Sequence, residues 1–332
     1  GPQSKANGKS AISIGDQAMA AADSSISMGK TANAMAIGSI SIGEKSIAYK
    51  DNNVAIGKEA VALGLNSTAI GSTTGTPRQP VYTRDANNKI TAIDGISVTT
   101  TGTGTNLTDI TEINGVPVTN TEVNSFVASL SSGANLSLGK NSIALGTSNL
   151  AAGESSVALG DSSKAVAKDA IAIGRNGNAS GVQAISIGAG AQAAASGALA
   201  AGGASSAGRD GAVALGQGAF ANTTAGISIG QNAGVGTSQG ATNDRTDHIA
   251  IGSNSGQNVI GNRNIALGVG AGSNLSADDN GSSDHNIAIG VNAGSNLSGD
   301  DNIAIGRDAN KNIKAVAESV AIGSRVDATT GS

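Results

Sequence analysis

Residues able to ligate a metal or act as acid and base are sparse in this chain of 332 residues. It has no cysteine, which excludes disulfides and thiolate metal sites, and its two histidines are His248 and His285. We interpret both histidines as polar loop residues. Carboxylates such as Glu154, Asp161 and Asp169 are scattered, whereas hydrolases of polysaccharides need clustered carboxylates. We therefore expect no enzyme, and we predict no catalytic residue, metal ligand or cofactor.

Two local patterns resemble ligand-binding motifs. Gly29-Lys30-Thr31 matches the end of a phosphate loop, but Ser24 stands at the first glycine that such a loop requires. Several aspartates near the C-terminus are of the ligand type that calcium takes, yet the EF-hand order and the nonapeptide of calcium-binding rolls are both missing. These are Asp278, Asp279, Asp284, Asp300 and Asp301. We interpret them as solvated turn residues, with a calcium site as the alternative.

The composition excludes several classes of protein. A net charge of -4 without a basic run argues against nucleic acid as a partner. No apolar stretch approaches the length of a membrane span, and we expect the chain to be a fragment without a membrane segment. With 49 glycines and 1% aromatic residues, a thick conventional core is not possible.

A repeat of 14 residues dominates the sequence. The tetrapeptide apolar-(Ala/Ser)-apolar-Gly places glycines at a constant step of 14. These are Gly146, Gly160, Gly174, Gly188, Gly202, Gly216 and Gly230. In Ile171-Ala172-Ile173 the apolar residues alternate with a period of two, which is typical of a β-strand. Small residues such as Ser163, Ala165 and Ala167 alternate in the same way, so each repeat predicts two short strands and two turns. This is one coil of a parallel β-solenoid.

Segments such as Ser156-Val157-Ala158-Leu159-Gly160 resemble the head repeats of trimeric autotransporter adhesins of the YadA type. The resemblance extends over about 10–71 and 134–325. It implies an all-β, left-handed parallel β-roll, three copies of which form a homotrimer at the tip of a surface fibre. It further implies an adhesin on the outer surface of a Gram-negative bacterium, anchored elsewhere in its outer membrane and linked to virulence, autoagglutination and biofilm formation.

The volume of the side chains suggests which face of the motif strand lies inside. We expect the large aliphatic residues to fill the interior of each coil and the small residues between them to face a neighbouring subunit. The predicted coil core is Val157, Leu159, Ile171, Ile173, Ile185 and Ile187. The predicted subunit-facing residues are Ala158, Ala172 and Ala214.

The step between motif glycines changes in two parts of the chain. It shrinks around Gly38, Gly43 and Gly64, so that the coils there are irregular or the motif falls on both strands. After Gly230 the steps alternate between 22 and 16, which gives a super-repeat of 38 residues. We expect the roll to continue there with projecting loops, for example within 277–286.

Residues 72–135 interrupt the repeat. Asp94-Gly95 and Asn114-Gly115 lie between alternating runs and predict two hairpins, with Pro117 on an edge strand. Thr121, Val123, Phe126, Val127, Leu130 and Gly133 predict a short helix. This insertion either carries a ligand site, for which Arg78, Tyr82 and Arg84 are candidates, or serves as a spacer or brace.

The sequence thus divides into four segments: head repeats in 1–71, the insertion in 72–135, regular repeats in 136–230 and irregular repeats in 231–332. The predicted function is attachment to extracellular-matrix proteins, host cells or abiotic surfaces. The alternative is a structural spacer of a surface fibre. An ice-binding solenoid is less favoured, because the threonines lie mainly in the insertion.

Overall fold

The structure is a computed structural model that describes 1–73, 82–93, 96–101, 104, 106–113, 116–117, 123, 134–234, 248–259, 261–275, 283–313 and 318–328. The chain divides into two units, Gly1–Ala179 and Ser180–Ser332. In each unit the chain winds into stacked coils, and each strand pairs in parallel with the equivalent strand of the next coil. The all-β parallel solenoid predicted from the repeat is therefore confirmed.

The strand that carries the apolar-small-apolar-Gly motif, hereafter the motif strand, recurs in every coil. In the first unit the motif strands are Ile12–Ile14, Ile26–Met28, Ile40–Ile42, Val54–Ile56, Thr68–Ser72, Ile143–Thr147, Val157–Asp161 and Ile171–Ile173. In the second unit they are Ile185–Ile187, Leu199–Ala201, Val213–Leu215, Ile227–Ile229, Ile249–Ile251, Ile265–Leu267, Ile287–Ile289, Ile303–Ile305 and Val320–Ile322.

A second, two-residue strand forms the opposite wall of the 14-residue coils. In the first unit the second strands are Lys5–Ala6, Met19–Ala20, Asn33–Ala34, Ile47–Ala48, Val61–Ala62, Leu136–Ser137, Leu150–Ala151, Lys164–Ala165 and Asn178–Ala179. In the second unit they are Gln192–Ala193, Ser206–Ala207 and Phe220–Ala221.

The coils before the insertion are regular. Val61 pairs with Leu136 on the second sheet, although both residues begin a copy of the motif. Gly64 therefore belongs to a turn after a second strand, and the motif falls on both strands. The alternative of irregular coils is wrong, because the step of 14 holds from Gly15 through Gly29, Gly43 and Gly57 to Gly71.

The assignment of the two faces of the motif strand is wrong and must be reversed. Ala158, Ala172 and Ala214 have no exposed surface within the single chain, so they line the interior of their coils. The six residues expected in the core, Val157, Leu159, Ile171, Ile173, Ile185 and Ile187, point outward and are half-buried or exposed. Leu159 and Ile187 are 40% and 42% exposed.

The physical reason is the narrow gap between the two walls of a coil. The hydroxyl of Ser27 on a motif strand donates to the carbonyl of Ala32 at 2.8 Å, and Ser186 reaches Ala191 at the same distance. Ala32 and Ala191 each come directly before a second strand, which forms the opposite wall. A side chain with one atom beyond Cβ thus spans the interior, which leaves no room for leucine or isoleucine.

The motif glycine is fixed by the closeness of successive coils. Gly188 has a φ of +127°, and a Cβ built on it would lie 2.7 Å from the carbonyl oxygen of Gly202 in the next coil. This conformation is rare for residues with a side chain, and the obstructing atom belongs to the backbone. Gly190, in the turn that follows, has a φ of +68° and no atom within 4 Å of the same position.

The insertion contains a five-stranded antiparallel sheet. Its strands are Tyr82–Arg84, Ile90–Ile93, Ile96–Thr100, Ile110–Ile113 and Val116–Pro117, with a 3₁₀ turn at Leu107–Asp109. Ile93 pairs with Ile96 and Ile113 with Val116, so both predicted hairpins are confirmed, and Val116–Pro117 lies at an edge. The turn dipeptides themselves and the predicted helix, apart from Val123, lie outside the described residues.

The insertion sheet packs on the outer face of the second strands. Ile90, Ile93, Ile110 and Ile113 are at most 2% exposed and belong to one buried cluster with residues of the roll. The contributing roll residues are Val61, Leu63, Leu136, Leu138, Leu150 and Ala152. At the equivalent position of the next two coils, Lys164 and Asn178 are polar. The insertion sheet therefore buries the apolar residues of the second strands at Val61, Leu136 and Leu150.

The coils after Gly230 are longer but keep their register. Ile249 pairs with Ile265, and Ile287 pairs with Ile303, in parallel ladders. These coils also bury Leu275 and Leu297, in a cluster with Val259 that is separate from the cluster of their alanines. The predicted continuation of the roll is confirmed by these pairings, whereas much of the expected loop 277–286 lies outside the described residues.

We predict that Gly188→Ala destabilises the roll by roughly 1–3 kcal/mol, because alanine must adopt a strained φ and displace the Gly202 carbonyl. The matched control is Gly190→Asn, which suits its left-handed conformation and meets open space. Thermal unfolding followed by circular dichroism compares the two. Equal melting temperatures for both variants would contradict the close approach of the coils.

We predict that deletion of 74–134 leaves the roll in register. Gly71 and Gly146 are paired and lie 75 positions apart, so removal of these 61 residues restores a step of 14. The deletion uncovers an apolar patch, so we expect aggregation of the simple deletion. The same deletion with Val61→Asn, Leu136→Lys and Leu150→Asn should stay soluble and β-rich. Loss of the β-type circular dichroism spectrum in this second variant would show that the roll needs the insertion to fold.

Candidate interaction surface

Within each unit, the outward residues of successive motif strands form two parallel rows, which we call the aliphatic columns. They contain the first and the third residue of each motif strand, and in the described part of the chain these are large apolar residues except at Thr68 and Ala201. Successive members are stacked by the parallel register, as for Val213 with Ile227 and Leu215 with Ile229. Several members expose more than a third of their surface within the single chain: Ile12, Ile14, Met28, Ile70, Ile143, Leu159, Ile187, Ile251, Ile289, Val320 and Ile322. A continuous exposed apolar surface of this kind marks a site of protein association.

The aliphatic columns arise because side chains alternate between the two faces of each motif strand and the interior of the coil is thin. Because successive side chains point to opposite faces, an interior that accepts only alanine and serine at the middle position sends both flanking residues outward. The repeat that specifies the coil therefore specifies the surface as well.

The candidate ligand residues of the insertion are not grouped into a site by the described structure. Tyr82 is 37% exposed and Arg84 is exposed on the first strand of the insertion sheet. Arg84 donates from Nη1 to the carbonyl of Asn88 at 2.8 Å. Arg78 lies outside the described residues. Sequence reasoning missed the aliphatic columns as a surface, although their residue types were visible in every repeat.

The pattern at Gly29-Lys30-Thr31 is part of the backbone ladder. The amide of Gly29 donates to Ile14 and that of Thr31 donates to Asp16, each at 2.8 Å. These N–H groups are therefore used between coils, whereas a phosphate loop needs them directed at its ligand.

The aspartates of the longer coils accept hydrogen bonds from turn amides. Asp284 accepts the N–H of Asn262 at 2.8 Å, and Asp300 accepts the N–H of Asp284 at 2.7 Å. Asp301 lies 3.5 Å from the imidazole of His285. Among the described residues no group of three or more histidine, aspartate or glutamate side chains is arranged to hold a metal ion. Asp278 and Asp279 lie outside those residues.

One carboxylate in these turns has a shifted pKa. The amide of Asn292 and the ammonium of Lys311 both donate to Asp308, at 3.1 and 3.2 Å, and they hold its pKa below the ordinary value. His248 makes a different contact, since its Nε2 lies 2.8 Å from the carbonyl oxygen of Gly261. These contacts join neighbouring turns of the roll.

The model of the YadA head domain repeat matches six segments of the chain: 6–32, 34–60, 54–74, 137–163, 151–176 and 210–233. They lie in both units and coincide with coils of 14 residues. These six segments are YadA head domain repeats. A search of curated proteins gives no significant match.

A YadA head is a trimeric, non-enzymatic adhesin domain, and adhesins of this family are exposed on the surface of Gram-negative bacteria. The repeats of this chain are consistent with the head of a trimeric autotransporter adhesin. No helix among the described residues is long and apolar enough to cross a membrane.

We predict that Ala172→Leu lowers the stability of the coil, whereas Ile173→Ser weakens the association between chains. Leucine at position 172 overpacks an interior without free volume and should destabilise the coil by roughly 1–3 kcal/mol. Serine at position 173 replaces an outward side chain, so the coil should remain folded while association between chains weakens. Thermal unfolding and sedimentation velocity measure the two effects. An Ala172→Leu chain as stable as the parent would place that side chain outside the coil.

Proposed function

We propose that this chain is the head of a bacterial surface adhesin, which assembles as a homotrimer and attaches to extracellular-matrix proteins, host cells or abiotic surfaces. The observation that carries the proposal is the pair of aliphatic columns on YadA head repeats. Their exposure in one chain is explained if other copies cover them.

The chemistry of the columns favours a second and third copy of the same chain as the covering partner. Each unit carries these columns, and within each unit the apolar surface extends along successive coils rather than forming a local pocket. A partner with the same coil spacing presents matching layers of isoleucine, leucine and valine. Burial of such residues contributes about 25 cal/mol for each Å² of apolar surface removed from water.

Attachment by such a head rests on many weak contacts. Outside the columns, the roll presents short polar and charged turn residues, as at Glu154 and Lys168, which lie 3.5 Å apart as an exposed ion pair. Three chains repeat each contact three times, and a linked array binds far more tightly than one contact. This arrangement suits extended targets and neighbouring cells, and it supports autoagglutination and biofilm formation.

We retain the four segments 1–71, 72–135, 136–230 and 231–332 as the organisation of the head. The insertion braces the roll in this proposal and offers Arg78, Tyr82 and Arg84 as a candidate ligand surface. The left-handed winding of the roll, the surface location on a Gram-negative bacterium and a role in virulence belong to the same proposal. The alternative is a structural spacer, favoured by the uniform coils on either side of the insertion.

We predict that the trimeric head binds surfaces coated with matrix proteins, host cells or plain polystyrene at least tenfold more tightly than a monomeric variant. The variant carries Leu159→Asn, Ile187→Asn and Ile229→Asn, which place amides in the columns. Sedimentation equilibrium verifies the oligomeric state, and surface binding assays measure attachment. The deletion of 74–134 with Val61→Asn, Leu136→Lys and Leu150→Asn serves as a second comparison. Binding that is lost in this variant lies in the insertion, and binding that is kept lies in the roll.

A stable trimer that binds none of these surfaces would support the spacer. A stable monomer of the parent chain would contradict the homotrimer.

A further inference from the structure

One layer in the column of third residues lacks a large side chain. Ala201 is the third residue of the motif strand Leu199–Ala201. Every other motif strand in the described part of the chain carries isoleucine, leucine or methionine at this position. The gap is therefore a single interruption in an otherwise uniform column.

The register places this gap between two large residues. Ala201 pairs with Ile187 of the preceding coil and with Leu215 of the following coil. Ile187 is 42% exposed within the single chain, and the side chains of Leu215 and Ala201 are half-buried. Ala201 thus lies between two large aliphatic residues of the neighbouring coils, and its side chain has three carbon atoms fewer than isoleucine.

The same coil offers nothing to fill the gap. Between residues 194 and 204, Leu199 is the one large apolar side chain, and the other residues are alanine, glycine and serine. Leu199 occupies the first position of the motif strand, and Ala200 between the two has no exposed surface and points into the coil. The gap at Ala201 therefore opens only on the outward face.

We propose that the trimer encloses an apolar cavity at the layer of Ala201, and that this cavity binds a small apolar molecule. The inference rests on the homotrimer proposed above, and it adds that the third positions of the motif strands of three chains meet at this layer. Three alanines in place of three isoleucines leave out about nine carbon atoms, which is more than the six of benzene. Enclosed cavities lined by aliphatic side chains stay dry and take up benzene or xenon.

The coils are too rigid to close around the missing atoms. The motif strand Leu199–Ala201 is held in a parallel ladder on both sides, and a Cβ built on Gly188 would lie 2.7 Å from the carbonyl oxygen of Gly202. A collapse of the Ala201 layer would have to bend these ladders. In a core that cannot collapse, absent side chains leave a void.

The test uses the parent chain as a trimer and benzene as the probe. We expect saturating benzene to raise the melting temperature of the parent by several degrees and to leave that of Ala201→Ile unchanged. Ala201→Ile should by itself raise the melting temperature, because isoleucine fills the void from within. Ala200→Ile is the matched control and should lower the melting temperature, because position 200 faces the thin interior of the coil.

Further variants separate this proposal from the trimer on which it rests. Ile187→Ala creates a second gap in the same column and should increase the response to benzene. If the parent does not respond but Ile187→Ala does, the columns meet in a trimer and the Ala201 layer is closed, which overturns the cavity. The cavity is also overturned if both Ala201→Ile and the smaller Ala201→Val lower the melting temperature. A monomeric parent in sedimentation overturns the homotrimer itself.

Discussion

The narrow gap between the walls of each coil is the constraint on which the rest of the structure depends. A serine hydroxyl such as that of Ser27 spans the interior, so middle positions of the motif strands accept only alanine or serine. The chain therefore buries its smallest side chains and leaves its large aliphatic residues outside. This reverses the usual distribution, in which large aliphatic residues are the ones most often buried.

That reversal makes the single chain incomplete. A solenoid with an alanine and serine interior buries little apolar surface per residue, and its aliphatic columns remain in contact with water. In the proposed trimer, association of chains supplies the burial that a single coil lacks. The link between fold and function is thus direct, because the packing that builds a coil also creates the surface through which the proposed trimer forms.

Two departures from the regular coil show where large apolar residues can be buried. The longer coils after Gly230 bury Leu275 and Leu297 in a cluster of their own, while the alanines of their motif strands pack on other alanines. Where second strands carry Val61, Leu136 and Leu150 on their outer face, the insertion covers them with its isoleucines. Where they carry Lys164 or Asn178, no described residue of the insertion packs on them. In the 14-residue coils, large apolar residues of the roll thus become fully buried where the insertion adds a layer.

The sequence by itself determined the solenoid, the 14-residue coil, the position of the insertion and its two hairpins, because glycine spacing, strand alternation and turn dipeptides are local signals. It also carried the resemblance to YadA head repeats. It did not determine which face of Ile171-Ala172-Ile173 lies inside, since alternation separates two faces without saying which is buried. Only the tertiary structure decided this, because the distance between the two walls arises from how the turns bring them together. That distance excludes isoleucine and admits alanine.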